Sequence, residues 1–397
     1  MSKAPKLRFK EFSGDWEEKR FKDIYSVKSG YGFKLSEYSS TGIPLIKIDN
    51  IGYGKIKWDN ISYLPEEYKE SYSDIVLEKD DILLALNRPI TNNKLKIAML
   101  KETDIPAILY QRVGKIIVDK TFNKLFSYYL LNNVVFDFVL KESKGSDQPF
   151  ISTEELKKVK FNIPLIEEQE KIASFLSLID DKISLQGEKV EALKDYKRGM
   201  MQKIFSRELR FKDDEGRDYP EWEERKIKDI FIVTRGVVIA KTEISESKDD
   251  KNKYPVYSSQ TTNNGILGYD SSYDFEGDYL TWTTDGANAG KVFRRNGKFR
   301  CTNVCGVLVE KQETLGFANK MISEILNKET PKHVSYVGNP KLMNGVMGDI
   351  KIKVPILDEQ IKISKVLDNI DLKIEKEQEK LDCLNEYKKG LLQQMFV

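Results

Sequence analysis

Two stretches of the chain place Asn, Gln, Ser, Thr, Lys and Arg together in segments that are typical of turns. The first contains "NRPITNNKLK" and "KGSDQPFIS", with candidates Asn87, Arg88, Thr91, Asn92, Asn93, Lys94, Lys144, Ser146 and Gln148. The second begins at "YSSQTTNN", with candidates Ser258, Ser259, Gln260, Thr261, Asn263, Asn264, Thr283, Thr284, Asp285, Asn288, Lys291, Arg294 and Arg295. Asn and Gln pair with adenine edges, Arg and Lys with guanine edges, and Ser, Thr and Lys with phosphates. We predict DNA contacts from these residues, while turn formation alone is the alternative for any single one.

The sequence contains no pattern typical of catalysis. His333 is the single histidine, and Cys301 and Cys305 have no second Cys pair with zinc-site spacing, so we expect the two cysteines to be buried strand residues. "GANAGK" (286–291) is one residue shorter than a phosphate-binding loop and is followed by Val292 instead of Ser or Thr. The nearest approach to an adenine-methyltransferase motif is Asn339-Pro340. We predict a chain without catalytic residues, metal or cofactor of its own.

Composition sets wide limits on the function. The 397 residues favour two or three domains, and the 40% hydrophobic fraction is sufficient for real cores. No apolar run has transmembrane length and the first residues lack a signal-peptide pattern, so we expect a cytoplasmic protein. The net charge of +2, with 32% charged residues, neither predicts nor excludes nucleic-acid binding.

An internal repeat organises the chain. Residues 160–205 align with residues 351–396 at a constant offset of 191, with roughly four positions in ten identical. A second repeat aligns residues 7–30 with residues 209–236 and places Trp16 opposite Trp222. Residues 31–159 and 237–350, which lie between the repeated pieces, look unrelated to each other. The chain is therefore two similar halves in tandem with different middles.

The longer repeat has the heptad pattern of a long helix. Its apolar positions, here called the spacer seam, are Ile172, Leu176, Ile179, Ile183, Val190 and Leu193 in the first copy and Ile363, Leu367, Ile370, Ile374, Leu381 and Leu384 in the second. We predict two helices of about 36 residues, packed antiparallel as a coiled coil around a pseudo-two-fold axis. This circular arrangement predicts that Phe396 lies near the N-terminal "KLRFK". The alternative is two independent domains, each with its own amphipathic helix.

Both middles contain short β-type runs followed by a helical segment. In the first, "GIPLIKIDNIGYG", "DDILLALNRP" and "AILYQRVGKIIVD" precede "FNKLFSYYLLNNVVFDFVLKE"; in the second, "YPVYSSQTTNNGILGYD", "GDYLTWTTDGANAGKVFRRNGKF" and "VCGVLVEKQ" precede "GFANKMISEILNK". We predict an α+β fold with two mixed α/β domains joined by the two long helices.

The segments "IPLIEEQEKIASFLSLIDDKI" and "VPILDEQIKISKVLDNIDLKI", with the tails "YKRG" and "YKKG", resemble the specificity subunits of type I restriction-modification systems over nearly the whole chain. The resemblance implies target-recognition domains at 1–159 and 207–350, and conserved spacer helices at 160–206 and 351–397. Each domain would recognise one half of a bipartite, gapped site in double-stranded DNA.

The same resemblance implies partners that carry the chemistry. Two methylation subunits would use S-adenosylmethionine for adenine-N6 methylation, and two restriction subunits would use ATP and Mg, with no membrane involved. A different hypothesis is a two-domain adaptor whose helices form a docking platform for proteins. An enzyme with its own nuclease or methyltransferase site is disfavoured by the missing motifs.

Overall fold

The computed structural model describes residues 4–142 and 150–396. The chain divides into two compact units. The first unit is Met1–Gln186 together with Lys380–Val397, and the second unit is Gly187–Glu379. Each unit therefore contains part of both long repeated segments, which excludes the alternative of two independent domains with one helix each.

The first unit consists of short strands, a 19-residue helix and the start of a 40-residue helix. Its elements are β1 (Glu17–Arg20), α1 (Phe21–Ile24), β2 (Tyr25–Ser29), β3 (Ile43–Ile46), β4 (Ser62–Leu64), α2 (Tyr68–Ser71), β5 (Val76–Leu77), β6 (Ile82–Ala85), β7 (Ile90–Thr91), β8 (Lys94–Leu95), β9 (Ile97–Met99), β10 (Ala107–Leu109), β11 (Val113–Val118), α3 (Lys124–Glu142), α4 (Thr153–Leu156), β12 (Lys160–Ile163) and α5 (Ile166–Phe205). Two four-stranded sheets have the strand orders β4-β3-β10-β5 and β2-β11-β6-β9, and β1-β12 and β7-β8 form separate pairs.

The second unit contains the end of α5, one six-stranded sheet and three short helices that lie entirely within this unit. Its further elements are β13 (Glu223–Lys226), α6 (Ile227–Ile230), β14 (Phe231–Arg235), β15 (Tyr254–Tyr257), β16 (Ile266–Asp270), β17 (Phe275–Thr283), β18 (Val292–Cys301), β19 (Cys305–Glu310), α7 (Lys320–Glu329), α8 (Asn344–Asp349), β20 (Lys351–Val354) and α9 (Leu357–Met395), the last of which ends in the first unit. The sheet order is β14-β19-β17-β18-β15-β16, with β13-β20 as a separate pair. The predicted α+β class and both mixed middles are confirmed.

The two middles share a strand-pairing scheme that their sequences do not reveal. β2 is antiparallel to β11 and β14 is antiparallel to β19. β6 is antiparallel to β11 and β17 is antiparallel to β19. β3 is parallel to β10 and β15 is parallel to β18. The unlike middles are therefore two versions of one sheet arrangement.

A repeated glycine allows one close approach in each version. A Cβ on Gly30 would lie 1.9 Å from the Leu109 carbonyl oxygen, and a Cβ on Gly236 would lie 1.9 Å from the Cys301 carbonyl oxygen. Both glycines follow the repeated strand, β2 or β14, at the same position of the shorter repeat. Any side chain there would push the neighbouring strand away. The repeated segments (residues 7–30, 160–205, 209–236 and 351–396), here called the frame, therefore set the path of the variable strand.

The long helices run antiparallel within each unit. In the first unit Lys388 of α9 pairs with Asp180 of α5. In the second unit Lys197 of α5 pairs with Asp371 of α9 at 2.7 Å, which is the same pair with the two helices exchanged. The predicted helices are confirmed, with 40 and 39 residues instead of about 36.

The spacer-seam residues lie on the inner faces of these helices. Those that are buried are Ile172, Leu176, Ile179, Val190, Ile363, Leu367 and Ile370, and those that are half-buried are Ile183, Leu193, Ile374, Leu381 and Leu384. Ile172, Leu176 and Ile179 share the apolar core of the first unit with Leu391 and Met395 of α9. Ile363 and Leu367 share an apolar core of the second unit with Ile204 of α5.

The N-terminal segment packs on the end of α9. The Leu7 backbone N–H donates to the Gln394 carbonyl at 2.9 Å. The ring centroids of Trp16 and Phe396 are 6.5 Å apart in an edge-to-face arrangement. The predicted proximity of Phe396 to "KLRFK" is confirmed.

Candidate nucleic-acid interface

An ion pair between a half-buried arginine and a buried glutamate fixes each copy of the frame on its long helix. Arg8 donates to both carboxylate oxygens of Glu168 at 2.8 and 2.7 Å. Arg210 donates to both oxygens of Glu359 at 3.3 and 2.9 Å. The glutamate side chains are 2% and 0% exposed, so each depends on its arginine for charge compensation. The sequence repeat matches these glutamates without indicating this role.

Gln169 and Gln360, which follow these glutamates, connect the start of each long helix to the middle of its unit, residues 31–159 or 237–350, here called the variable region. Gln169 Nε2 donates to the Pro164 carbonyl at 2.9 Å, and Gln169 Oε1 accepts from the Asn123 N–H at 3.0 Å. Gln360 Nε2 donates to the Pro355 carbonyl at 2.9 Å, and Gln360 Oε1 accepts from Asn319 Nδ2 at 2.8 Å.

Each of these asparagines also caps a helix of the variable region. Asn123 Oδ1 accepts from the Phe126 N–H at 2.8 Å at the start of α3. Asn319 Oδ1 accepts from the Ile322 N–H at 3.0 Å at the start of α7. The frame therefore holds both variable regions through the same side-chain types.

Two candidates of the first unit, Asn87 and Arg88, line a polar cleft. The cleft has a volume of about 380 Å³ and is lined by Ile48, Asp49, Asn87, Arg88, Lys96, Arg112 and Phe150. Three cations converge here, and Phe150 is 69% exposed at the margin. Lys96 and Arg112 are functional candidates that the turn patterns did not indicate. Such a cationic concavity favours an anionic ligand.

The remaining first-unit candidates form the β7-β8 hairpin. Asn92 and Asn93 both have positive φ, 52° and 55°, which is the conformation a two-residue hairpin loop requires. The Tyr53 hydroxyl lies 2.7 Å from Thr91 Oγ1, and Lys94 lies over the Tyr53 ring. The hairpin presents two asparagines and a lysine to solvent. Lys144, Ser146 and Gln148 lie outside the described residues.

Side-chain hydrogen bonds bring the candidates of the second unit together from different loops. Asn288 Nδ2 donates to Thr261 Oγ1 at 3.0 Å. The Thr284 N–H donates to Ser259 Oγ at 3.0 Å. Thr302 Oγ1 donates to Ser258 Oγ at 3.0 Å, which adds a residue that the sequence reasoning missed. Gln260, Asn263, Asn264, Asp285 and Lys291 lie in the same three loops.

Strand register places the two sets of candidates at equivalent edges. The Ala85 N–H, at the end of β6, donates to the Lys96 carbonyl at 3.0 Å, and the Thr283 N–H, at the end of β17, donates to the Lys291 carbonyl at 3.0 Å. Asn87 and Asp285 follow these strands by the same number of residues. The candidate contacts therefore occupy the same edge of the shared sheet arrangement in both units.

Three predicted DNA contacts are corrected because their side chains are buried and bond within the protein. Thr283 and Thr284 are 1% and 7% exposed. Arg295 is 3% exposed, and its guanidinium lies 3.7 Å from the Tyr257 ring centroid. It donates to Thr281 Oγ1 at 3.0 Å and to the Asn264 carbonyl at 2.9 Å, and burial lowers its pKa. These residues support the loops that carry the exposed candidates.

Arg294 is directed away from that edge. Its guanidinium pairs with Asp368 of α9 at 3.3 Å and with Asp278 at 3.7 Å. Cys301 and Cys305 are 0% and 2% exposed strand residues, as predicted. Residues 4–142 and 150–396 contain no cluster of His, Cys, Asp and Glu arranged for a metal ion. No helix in that part of the chain is both long and apolar enough to cross a membrane.

Comparison with known proteins agrees with this duplicated architecture. The family model described as the type I restriction modification DNA specificity domain matches residues 13–195 and 219–386. The chain therefore belongs to the family of type I restriction-modification specificity subunits.

Two curated relatives and one solved structure illustrate the extent of the likeness. The type I restriction enzyme MjaVIII specificity subunit of Methanocaldococcus jannaschii is 40% identical over 51% of this chain and 48% of the relative. The putative type I specificity subunit S.MpnORF615P of Mycoplasma pneumoniae is 36% identical over 53% of this chain and 81% of the relative. The crystal structure of the type I restriction-modification S subunit from M. genitalium has a TM-score of 0.63 at 17% identity, with 99% of both chains covered, which is a likeness of fold.

Proposed function

We propose that this chain is the sequence-specific DNA-recognition subunit of a type I restriction-modification complex, and that each variable region recognises one half of a bipartite, gapped site. One observation carries the proposal: two regions of unlike sequence expose polar and cationic loops at the same edge of the same sheet arrangement. A fixed frame with different loops fits a target with two different halves.

The chemistry is assigned to partner subunits. Two methylation subunits would bind S-adenosylmethionine and methylate adenine N6, and two restriction subunits would use ATP and Mg, with this chain supplying no catalytic residue. The duplicated helix contacts support two equivalent docking positions. The complex would act on double-stranded DNA in the cytoplasm.

The test is methylation sequencing of DNA from cells that express this chain with its methylation subunits. The expected result is a single bipartite motif with modified adenines and a constant gap. A complex that modifies no defined sequence would contradict the proposal and would favour the protein-binding adaptor instead.

A second experiment tests the spacer. Removing seven residues at corresponding positions of α5 and α9 keeps the seam in phase, and we expect the recognised gap to shorten while both half-sites stay the same. Removing the same number of residues from the loop around Lys248 is the control, and it should leave the gap unchanged. An unchanged gap in the helix variant would contradict the spacer role.

A further inference from the structure

A small hairpin of the second unit presents an apolar tip to solvent. Residues 335–341, here called the tip hairpin, are closed by two backbone hydrogen bonds of 2.9 Å between Ser335 and Lys341. Tyr336 is 69% exposed and Val337 is 92% exposed, and Gly338 has a φ of 75°. Large exposed apolar side chains on a closed hairpin are a typical feature of a contact surface.

The base of the tip hairpin is firmly anchored. Leu342 is 0% exposed, its carbonyl accepts from Trp282 Nε1 at 3.0 Å, and its N–H donates to the Thr284 carbonyl at 2.8 Å. Val334, on the other side, is buried beside Gly290. The exposed tip is therefore held in place by the core of the second unit.

The tip hairpin is continuous with the candidate nucleic-acid interface. The Gly286 N–H donates to the Pro340 carbonyl at 3.0 Å, and Asp285 forms a β-bridge with Lys341. Residues 331–341 include Lys332, His333 and Lys341. Lys332 pairs with Glu329, so Lys341 is the lysine of this segment that faces solvent beside the tip. An exposed lysine beside an apolar tip fits a polyanion that also offers apolar groups, which is the chemistry of a DNA groove.

Two side chains of the tip hairpin match one base pair. Val337 and Asn339 are both exposed and are two positions apart, so their Cα atoms lie within about 7 Å of each other. In the major groove an A·T pair offers the adenine N6 and N7 atoms, which an Asn amide can pair with, and the thymine 5-methyl group, which an apolar side chain can contact.

We propose that the tip hairpin recognises an A·T base pair in the second half-site, with Asn339 hydrogen-bonded to adenine N6 and N7 and Val337 packed against the thymine methyl group. The inference rests on the proposed function, because it requires that the second unit binds double-stranded DNA. It adds a recognition element that belongs to neither of the turn clusters.

Uracil in place of thymine removes only the 5-methyl group and is the probe for this contact. With the complex of this chain and its methylation subunits, each thymine of the second half-site is replaced in turn by uracil, and affinity is measured by competition gel shift. We expect one position at which uracil weakens binding about fourfold, the effect of one buried methyl group. In the Val337→Ala variant that difference should disappear.

Two further variants complete the experiment. Val346→Ala changes another exposed valine of the same unit, on α8, and should keep the thymine preference. Asn339→Ala should reduce discrimination against other base pairs at the same position by about tenfold. Melting temperatures should stay unchanged, because both tip side chains are exposed.

The outcomes separate the inference from the proposed function. If the wild-type complex selects a bipartite motif, but no uracil position weakens binding or Val337→Ala retains the difference, the inference is wrong and the proposed function stands. A second half-site without any A·T pair overturns the inference as well. If the wild-type complex selects no motif, both are overturned.

Discussion

The two variable regions share one scheme of strand pairing, but a strand that is continuous in the second region is divided into two in the first. In the second unit, β18 is one strand of ten residues that pairs with β17 along its first part and with β15 at its end. In the first unit, separate strands, β9 and β10, make the corresponding pairings, and residues 100–106 between them divide the sheet in two. The pairings are retained while the connections differ, so sequence variation in the middles is compatible with one arrangement.

The central strands also differ in chemistry. All four residues of β6, Ile82–Ala85, are buried and apolar. In β17 the buried residues include Thr281 and Thr283, which bond to Arg295 and to the loop at Asn288. The central strand of the first unit therefore packs through apolar side chains, whereas that of the second unit also forms buried hydrogen bonds, which require more specific geometry.

Breaking the shared ion pairs should give the largest effect. Arg8→Ala and Arg210→Ala each leave a buried carboxylate uncompensated, and we expect each to lower the free energy of unfolding of its unit by about 3–5 kcal/mol. Arg8→Ala should cost more, because Glu359 keeps a hydrogen bond from Trp222 Nε1 at 3.3 Å, while Trp16 Nε1 has no partner among the described residues. Hydrogen exchange, followed separately for the backbone amides of each unit, measures the loss of stability in both variants.

The control for this pair of variants neutralises the orphaned charge. Arg8→Ala combined with Glu168→Gln should recover most of the lost stability, because a buried amide costs less than a buried carboxylate. A loss below about 1 kcal/mol in both single variants would contradict the view that these pairs fix the frame.

Arg295→Met tests whether the second unit depends on its buried polar network. The substitution keeps the apolar stem but removes the hydrogen bonds to Asn264 and Thr281, so the loop at residues 261–265 should lose its position. We expect about a tenfold loss of discrimination at the second half-site and none at the first. Arg294→Met is the matched control. Equal losses of discrimination in Arg294→Met and Arg295→Met would contradict a special dependence on the buried network of Arg295.

The helix contacts of the second unit should give that unit an acid-sensitive component. Burial alone would raise the pKa of Asp371, but hydrogen bonds from Lys197 and Lys320 outweigh it, so its pKa lies below the ordinary value. A carboxylate with a lowered folded-state pKa stabilises the protein above about pH 4, and this contribution is lost as the pH falls further. We expect Asp371→Asn to cost about 1 kcal/mol at pH 7 and progressively less under acid conditions.

Urea unfolding at several pH values between neutral and acid checks this expectation. The control is Asp195→Asn on the exposed face of α5, which removes only a surface pair with Arg198. If Asp371→Asn costs the same stability at every pH, the lysine contacts do not set the carboxylate pKa.

The smallest effect should come from the equivalent lysines. Lys96→Ala and Lys291→Ala each remove one cation beside the candidate DNA edge, and we expect each to lower the slope of log affinity against log salt concentration by about 1. Equal changes would support the equivalence of the two edges. A change in only one variant would show that the two units approach the phosphates differently.

The repeat and the long helices were predictable because identical residues at a constant offset and a heptad pattern are local signals. The strand-pairing scheme that the two middles share was not predictable from the sequence. Structurally equivalent residues such as Leu109 and Cys301 differ in type and have only their burial in common. The role of Arg295 was hidden because a cation enclosed by aromatic rings has the same sequence signature as an exposed one. The tip hairpin did have a signal, because the offset of 191 aligns Pro340 with Pro149 of the candidate segment "KGSDQPF".

The first unit is assembled from two distant parts of the chain, and this has a consequence for its folding during synthesis. That unit needs residues 380–396, including Leu391 and Met395, which belong to the same apolar core as Trp16 and Leu176. The second unit is complete once residue 379 has left the ribosome. Domains usually mature in the order in which they are translated. We therefore expect the unit that contains the N-terminal segment to finish folding last, with its apolar surface accessible to chaperones until α9 has been synthesised.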